Sequence, residues 1–166
     1  MIILGIDPGI AIVGYGVIQY EAGRFSVIDY GAVTTKAGSK LSDRLRNIYE
    51  DIHVLIERFH PDVCAIEELF FNTNVTTGIS VAHGRGVIML AATIQNLPVY
   101  EYTPLQVKQS VAGYGRADKA QVQHMVKSLL HLSAVPKPDD VADALAVAIC
   151  HANNAGFMKL TQTEGV

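Results

Sequence analysis

The stretch GIDPGIAIVGYGVI, residues 5–18, decides how this chain is read. Met1–Ile6 is an almost unbroken apolar run, the composition of a strand buried on both faces. It ends in Asp7, and Pro8-Gly9 fixes a tight turn immediately afterwards. A buried carboxylate without a partner costs several kcal/mol, so the rest of the chain has to supply partners for Asp7.

Outward from that stretch, Val13–Tyr20 and Phe25–Thr35 read as two further strands, joined by short Gly-containing connections that suit antiparallel hairpins. From Leu41 the apolar spacing changes to threes and fours, through Leu45, Ile48, Ile52, Leu55, Ile56 and Phe59. That pattern predicts an amphipathic helix stopped before Pro61. Val63–Ile66 reads as a short buried strand ending in Glu67-Glu68, and residues 70–78 read as loop. A helix is expected over His83–Gln95, a strand over Pro98–Tyr102, and helices over Pro104–Val111 and Asp118–Leu130. The last two flank a Gly113-Tyr114-Gly115 turn. A final helix of small apolar residues spans Asp139–Ala152. Three meandering strands followed by alternating strands and helices make an α/β fold, with a mixed five-stranded sheet flanked by helices. Residues 1–153 are expected to form a single domain, and 154–166 a weakly ordered tail.

The chain has 166 residues, 49% hydrophobic and 17% charged, a composition of compact globular proteins and not of disordered ones. No apolar run reaches the ~18 residues of a membrane span, and no basic region precedes the N-terminal apolar stretch as in a signal peptide. Cys64 and Cys150 lie in apolar contexts, which suggests free core thiols in a reducing cytoplasm. The net charge of −3 is unevenly spread. Residues 1–84 carry 6 basic and 10 acidic side chains, residues 85–137 carry 6 against 2, and residues 138–166 carry 1 against 4. A basic middle can attract a polyanion despite the acidic total.

Candidate partners for Asp7 are Glu67, at the end of the fourth strand, and Asp140 with Asp143 on the final helix. Positions three apart share a helix face. Carboxyl ends of parallel strands border the usual ligand crevice of such sheets, so Asp7 and Glu67 are expected on one edge. Acids converging from two strands and a helix repel one another unless a cation neutralises them. Hard oxygen ligands suit Mg²⁺ or Mn²⁺. Two such ions about 4 Å apart can activate a water and stabilise the leaving oxygen of a phosphoryl displacement. Ordinary readings compete at each position: helix capping for Asp139 or Asp140, a solvent-exposed strand end for Glu67. Capping does not explain Asp143, which lies further into the helix.

Taken together, Gly5-Ile6-Asp7-Pro8-Gly9 with Gly14-Tyr15-Gly16, Ala65-Ile66-Glu67, Gln106-Val107-Lys108-Gln109, Ala120–Met125 and Asp140-Val141-Ala142-Asp143 closely resemble the RuvC-type Holliday-junction resolvases of bacteria. The resemblance runs from Met1 to about Asn153. It implies a ribonuclease-H-like fold, a homodimer, and Mg²⁺-dependent nicking of two opposing strands of a four-way DNA junction, in recombination and repair. Two ions per active site are expected, with Mn²⁺ able to substitute. A partnership with a branch-migration complex is implied as well. The family's four catalytic, metal-holding acids fall on Asp7, Glu67, Asp140 and Asp143. Its stacking aromatic falls on Phe70, and its two DNA-serving lysines fall on Lys108 and Lys119. The stretch Phe71–Gly78 departs from the family in carrying no basic residue.

The residues themselves point the same way. Phe70-Phe71 beside polar loop residues is unusual for a surface, and base stacking on an aromatic contributes ~1–3 kcal/mol. Lys108, Arg116 and Lys119 flank the Gly113–Gly115 turn, where DNA phosphates could be held. Val87, Leu90 and Ile94 would present a stripe on the helix around Gly86–Thr93, a candidate dimer interface. An ATP-binding lobe of the sugar-kinase and actin kind shares the Asp-x-Gly hairpin, but needs a second lobe for which 166 residues leave little room. A non-catalytic junction binder would not need the four acids, and an RNA-directed nuclease of the same fold is the remaining alternative.

Overall fold

The computed structural model describes residues 1–69 and 75–163. Five strands, β1 (Ile2–Asp7), β2 (Ile12–Glu21), β3 (Arg24–Thr34), β4 (Val63–Glu67) and β5 (Val99–Tyr102), form one sheet in the order β3-β2-β1-β4-β5. β1 pairs antiparallel with β2 and parallel with β4, and β5 extends the parallel half. The sheet is therefore mixed, as the meander followed by strand–helix alternation implies.

Helices cover both faces. On one face lie α1 (Leu41–Phe59) and α2 (Val75–Ile94), packed on Leu4, Ile6, Cys64 and Ile66. On the other lie α3 (Pro104–Ala112), α4 (Lys119–Leu129) and α5 (Asp139–Thr163), packed on Ile3 and Ala65. The alternation is that of pleated strands, whose successive side chains point to opposite faces. By the same parity Asp7 and Glu67 belong to the α5 face. Cys64 and Cys150 are free thiols buried in these cores. Among the described residues no helix is long and apolar enough to cross a membrane.

Local signals set most element ends. α1 stops at His60, which is left-handed at φ 45° ahead of Pro61. α3 and α4 both open on reciprocal capping boxes, Thr103 with Gln106 and Asp118 with Gln121. Such a box satisfies two of the four orphan N–H groups at a helix start.

Two helices run further than their sequences suggest. α2 begins at Val75 and not near His83, so residues 75–78 are helical where loop is expected. Val75-Thr76-Thr77-Gly78 has weak intrinsic helix propensity, so the sequence carries little sign of the helix that runs on from it into Ile79–Ile94. Further along α2, Gly84 lies close against the turn after β1, where a Cβ would come 2.6 Å from the Gly9 carbonyl oxygen. α5 continues beyond Ala152 to Thr163, through Asn153 and Asn154, residues that commonly end helices. Here Asn154 turns its side chain back onto the Cys150 carbonyl at 2.8 Å, and Asn153 reaches Ser110 Oγ at 3.1 Å. Their competing hydrogen-bond capacity is thereby used without breaking the helix.

Candidate active site

The site begins with glycines. Asp7 pairs with Gly14 and Gly5 with Gly16 across the β1–β2 ladder. A Cβ on Gly14 would collide with the Asp140 carbonyl, one on Gly5 with the Ala144 carbonyl, and one on Gly16 would come within 2.5 Å of Leu145 Cδ2. The absence of these side chains lets α5 lie directly on the sheet with Val141, Ala144, Leu145 and Ala148 buried. The first turns of α5 thus arrive against the end of β1, carrying Asp140 and Asp143.

The consequence is electrostatic. Burial is the main reason the Asp7 pKa is pushed up to about 8, with the charges of Glu67, Asp143 and Asp140 adding to it and Lys119 opposing. Glu67 is raised to about 7, again chiefly by burial and then by Asp143, with Lys108 and Lys119 pulling down. Asp143 is raised by burial against the opposing pull of Lys119, while Asp139 and Asp140 add to the rise. Asp7, Glu67, Asp140 and Asp143 therefore form one group of interacting acids with too little positive charge to balance it.

Lysines border the group. Lys119 Nζ lies 2.9 Å from Asp143 and 3.5 Å from Asp139. Burial alone would lower the Lys119 pKa, but Asp143 and Asp139 outweigh it and the pKa rises. With 54% of the Lys119 side chain exposed, the pair is screened by water and contributes little to stability. A cleft is lined by Glu67, Lys108, Lys119 and Asp143 over an apolar floor that includes Val107 and Val122.

The donor set is chemically suited to a hard divalent cation, because carboxylate oxygens are its preferred ligands and these carboxyls are half-buried side by side with their charges opposing one another. Among the described residues the acids do not yet converge into a three-ligand cluster. The Asp143 carboxylate is instead turned to Lys119, the cation within its reach.

Of the residues singled out in the sequence, Asp7, Glu67, Asp140, Asp143, Lys108 and Lys119 come together here. Arg116 is exposed next to the α3–α4 turn and does not line the cleft. Phe70 lies outside the described residues. In the candidate interface, Leu90 and Ile94 are more than half exposed, but Val87 packs inward against the α1/α2 core. The exposed apolar stripe of α2 is therefore Ile79, Leu90 and Ile94. Two partners escaped sequence reasoning. Lys137 holds Asp139 at 2.6 Å, and Arg85 of α2 reaches the Glu67 carbonyl. Both contacts join segments distant in the chain or turn on a single side-chain rotamer, so spacing carries no sign of them.

Comparison with known proteins gives consistent relatives. The sequence model of the family described as crossover junction endodeoxyribonuclease RuvC matches residues 3–151. A crossover junction endodeoxyribonuclease RuvC from Ruminiclostridium cellulolyticum is 64% identical over 154 residues, 93% of each chain. The Thermus thermophilus RuvC structure superposes with a TM-score of 0.87 at 36% identity, covering 95% of this chain and 96% of that one. T. thermophilus RuvC in complex with Holliday junction substrate gives the same TM-score at 34% identity and the same coverage.

Proposed function

The chain belongs to the crossover junction endodeoxyribonuclease RuvC family, and from that premise we propose that it resolves four-way DNA junctions by symmetric nicking of two opposing strands. Asp7, Glu67, Asp140 and Asp143 are assigned as the catalytic and cation-holding residues. The observation that carries this assignment is that Asp7 and Glu67, at neighbouring strand ends, are both raised chiefly by burial and further by the acids that α5 brings beside them. Two Mg²⁺ ions per site, or Mn²⁺ in their place, would supply charge neutralisation and an activated water at neutral pH.

The chain's own groups do the rest. Lys108 and Lys119 flank the acids at the mouth of the cleft, where a DNA phosphate can replace a carboxylate as their partner. Lys119 is half exposed, so its ammonium is open to a phosphate as well as to Asp143 and Asp139. Arg116 and Phe70 are assigned to the DNA as well, Arg116 to a phosphate and Phe70 to base stacking. Two symmetric nicks call for two sites related by a two-fold axis. The α2 stripe of Ile79, Leu90 and Ile94 supports a homodimer, with Gly86 beside it offering open backbone for close approach. Residues 1–153 act as the nuclease domain and 154–166 as a tail, in a cytoplasmic protein that works alongside a branch-migration complex.

The test compares a four-way DNA junction with an RNA–DNA hybrid, using wild type and Asp7→Asn, with Mg²⁺ or with excess chelator. Paired nicks in opposing junction strands are expected only for wild type with Mg²⁺. Preferential cutting of the hybrid, or full cutting in chelator, would overturn the reading.

A further inference from the structure

Across the sheet from the carboxylates, Arg85 of α2 keeps only 16% of its side chain exposed. Its Nε donates to the Glu67 carbonyl at 3.2 Å, its Nη1 to Met89 Sδ at 3.3 Å, and its Nη2 to the Glu101 carboxylate of β5. The following N–H, that of Glu68, donates to the Tyr102 carbonyl at 2.8 Å. The Glu67–Glu68 peptide is therefore held at both ends, its oxygen by a guanidinium and its nitrogen by β5.

A largely buried guanidinium is expensive to desolvate, and an apolar side chain could pack beside Met89 at lower cost. What an apolar side chain cannot do is stop the last peptide of β4 from rotating. A planar fork spanning two fixed acceptors, one of them charged, can. The peptide so held belongs to the residue whose carboxylate points to the opposite face, towards Asp7 and Asp143.

We propose that Arg85 is a positioning residue for junction cleavage: by bridging Glu101 and the Glu67 carbonyl, it fixes the end of β4 and with it the direction of the Glu67 carboxylate. The role rests on the reading of Glu67 as a catalytic acid. It gives α2 a task beyond covering the sheet, because the strut enters the site from the face that carries no catalytic acid.

The experiment compares wild type, Arg85→Met, Arg85→Lys and Asp7→Asn in four measurements: thermal melting, junction affinity, single-turnover cleavage at saturating enzyme, and Mn²⁺ binding without DNA by electron paramagnetic resonance. For Arg85→Met the junction Kd should stay within about twofold, because the phosphate contacts are untouched. Its cleavage rate should fall about 10- to 100-fold, the scale expected for a reacting group displaced by about 1 Å. Mn²⁺ should bind more weakly. Arg85→Lys should recover part of the rate, since an ammonium reaches one acceptor but cannot bridge two in a plane. Wild-type cleavage by Arg85→Met overturns the proposal, and so does a fall in rate matched by an equal loss of junction affinity. If Arg85→Met does not fold, Arg85→Lys decides: full rate in the folded protein overturns the role, and reduced rate with intact binding supports it. Asp7→Asn separates the two readings. If it cleaves normally the carboxylate assignment itself fails, whereas an inactive Asp7→Asn beside a fully active Arg85→Met rejects the role of Arg85 alone.

Discussion

On the α1/α2 face of the sheet, Leu4, Ile6, Val13, Val17 and Ile66 meet Ile48, Ile52 and Ile88, so branched aliphatic side chains from both sides fill the space between strands and helices. On the α5 face the corresponding layer is partly missing. Gly5, Gly14 and Gly16 offer bare backbone, and α5 answers with Val141, Ala144, Ala148 and the flank of Leu145. The first face is stabilised by volume, the second by closeness. Closeness is also what gathers charge, because a helix that touches the sheet backbone brings its first-turn carboxylates to the strand ends. The contrast teaches where cost is tolerated. The α1/α2 face carries the larger aliphatic packing, while the α5 face holds Asp7, Glu67 and Asp143, whose pKa values are driven upward by burial and by neighbouring acids.

Neutralising one acid of the α5 face should have the largest effect. Asp7→Asn or Glu67→Gln removes charge with almost no change of volume. Single-turnover cleavage should fall by at least about a thousandfold, ~4 kcal/mol of barrier, while junction binding survives. Gel-shift and cleavage assays on one junction would show the split.

Next come paired packing changes, one on each face. Ile52→Ala empties a fully buried position and should cost about 2–5 kcal/mol, leaving the rate per folded molecule unchanged. Gly14→Ala should cost about 1–3 kcal/mol by overpacking. It should also depress the rate per folded molecule, because the added methyl pushes on the carbonyl of Asp140 itself. Equal rates per folded molecule in both variants would show that closeness of α5 is not what builds the site.

A smaller effect should appear in the pH dependence of stability without divalent ions. Asp7 and Glu67 have folded-state pKa values of about 8 and about 7, above their ordinary 3.8 and 4.5. A raised carboxyl pKa means that the folded state holds the proton more tightly. The stabilisation is complete below the unfolded value and is lost as pH rises through the folded one. The melting temperature of the metal-free protein should therefore fall between about pH 5 and pH 8, and Asp7→Asn should flatten the fall.

Much of this was legible in the chain, for identifiable reasons. β1 declares itself through an apolar run that stops at Asp7, and α1 through its threes-and-fours spacing. The four acids stand out because each sits at an element end or on one helix face. Less was legible where the deciding contact is tertiary. The start of α2 lies in β-branched residues and glycine, whose weak propensity hides a helix there, and α5 runs on past Ala152 with its asparagine side chains folded back onto the helix and onto Ser110. The inward turn of Val87 depends on which side of α2 meets α1, which a helix apolar on several sides does not disclose. The glycines Gly5, Gly14 and Gly16 look like ordinary turn and strand residues until the ladder register sets them beneath α5.

The mildest changes concern the rim of the cleft. Lys108→Ala and Lys119→Ala should each lower the salt slope of junction binding by about one phosphate contact. Loss of the Lys119–Asp143 pair, whose lysine is half exposed, should alter stability by about 1 kcal/mol. Titration of binding against salt, beside thermal melting, reads both quantities.

The acids gathered by α5 should form one cation site with Asp7 and Glu67. The most direct measurement follows the melting temperature at pH 8 across a Mn²⁺ titration, in wild type and in Asp7→Asn. A cation that binds only the folded state raises stability with its concentration, so wild type should climb steadily from its low metal-free value and Asp7→Asn should climb far less. An equal climb in both proteins, or none in wild type, would contradict it.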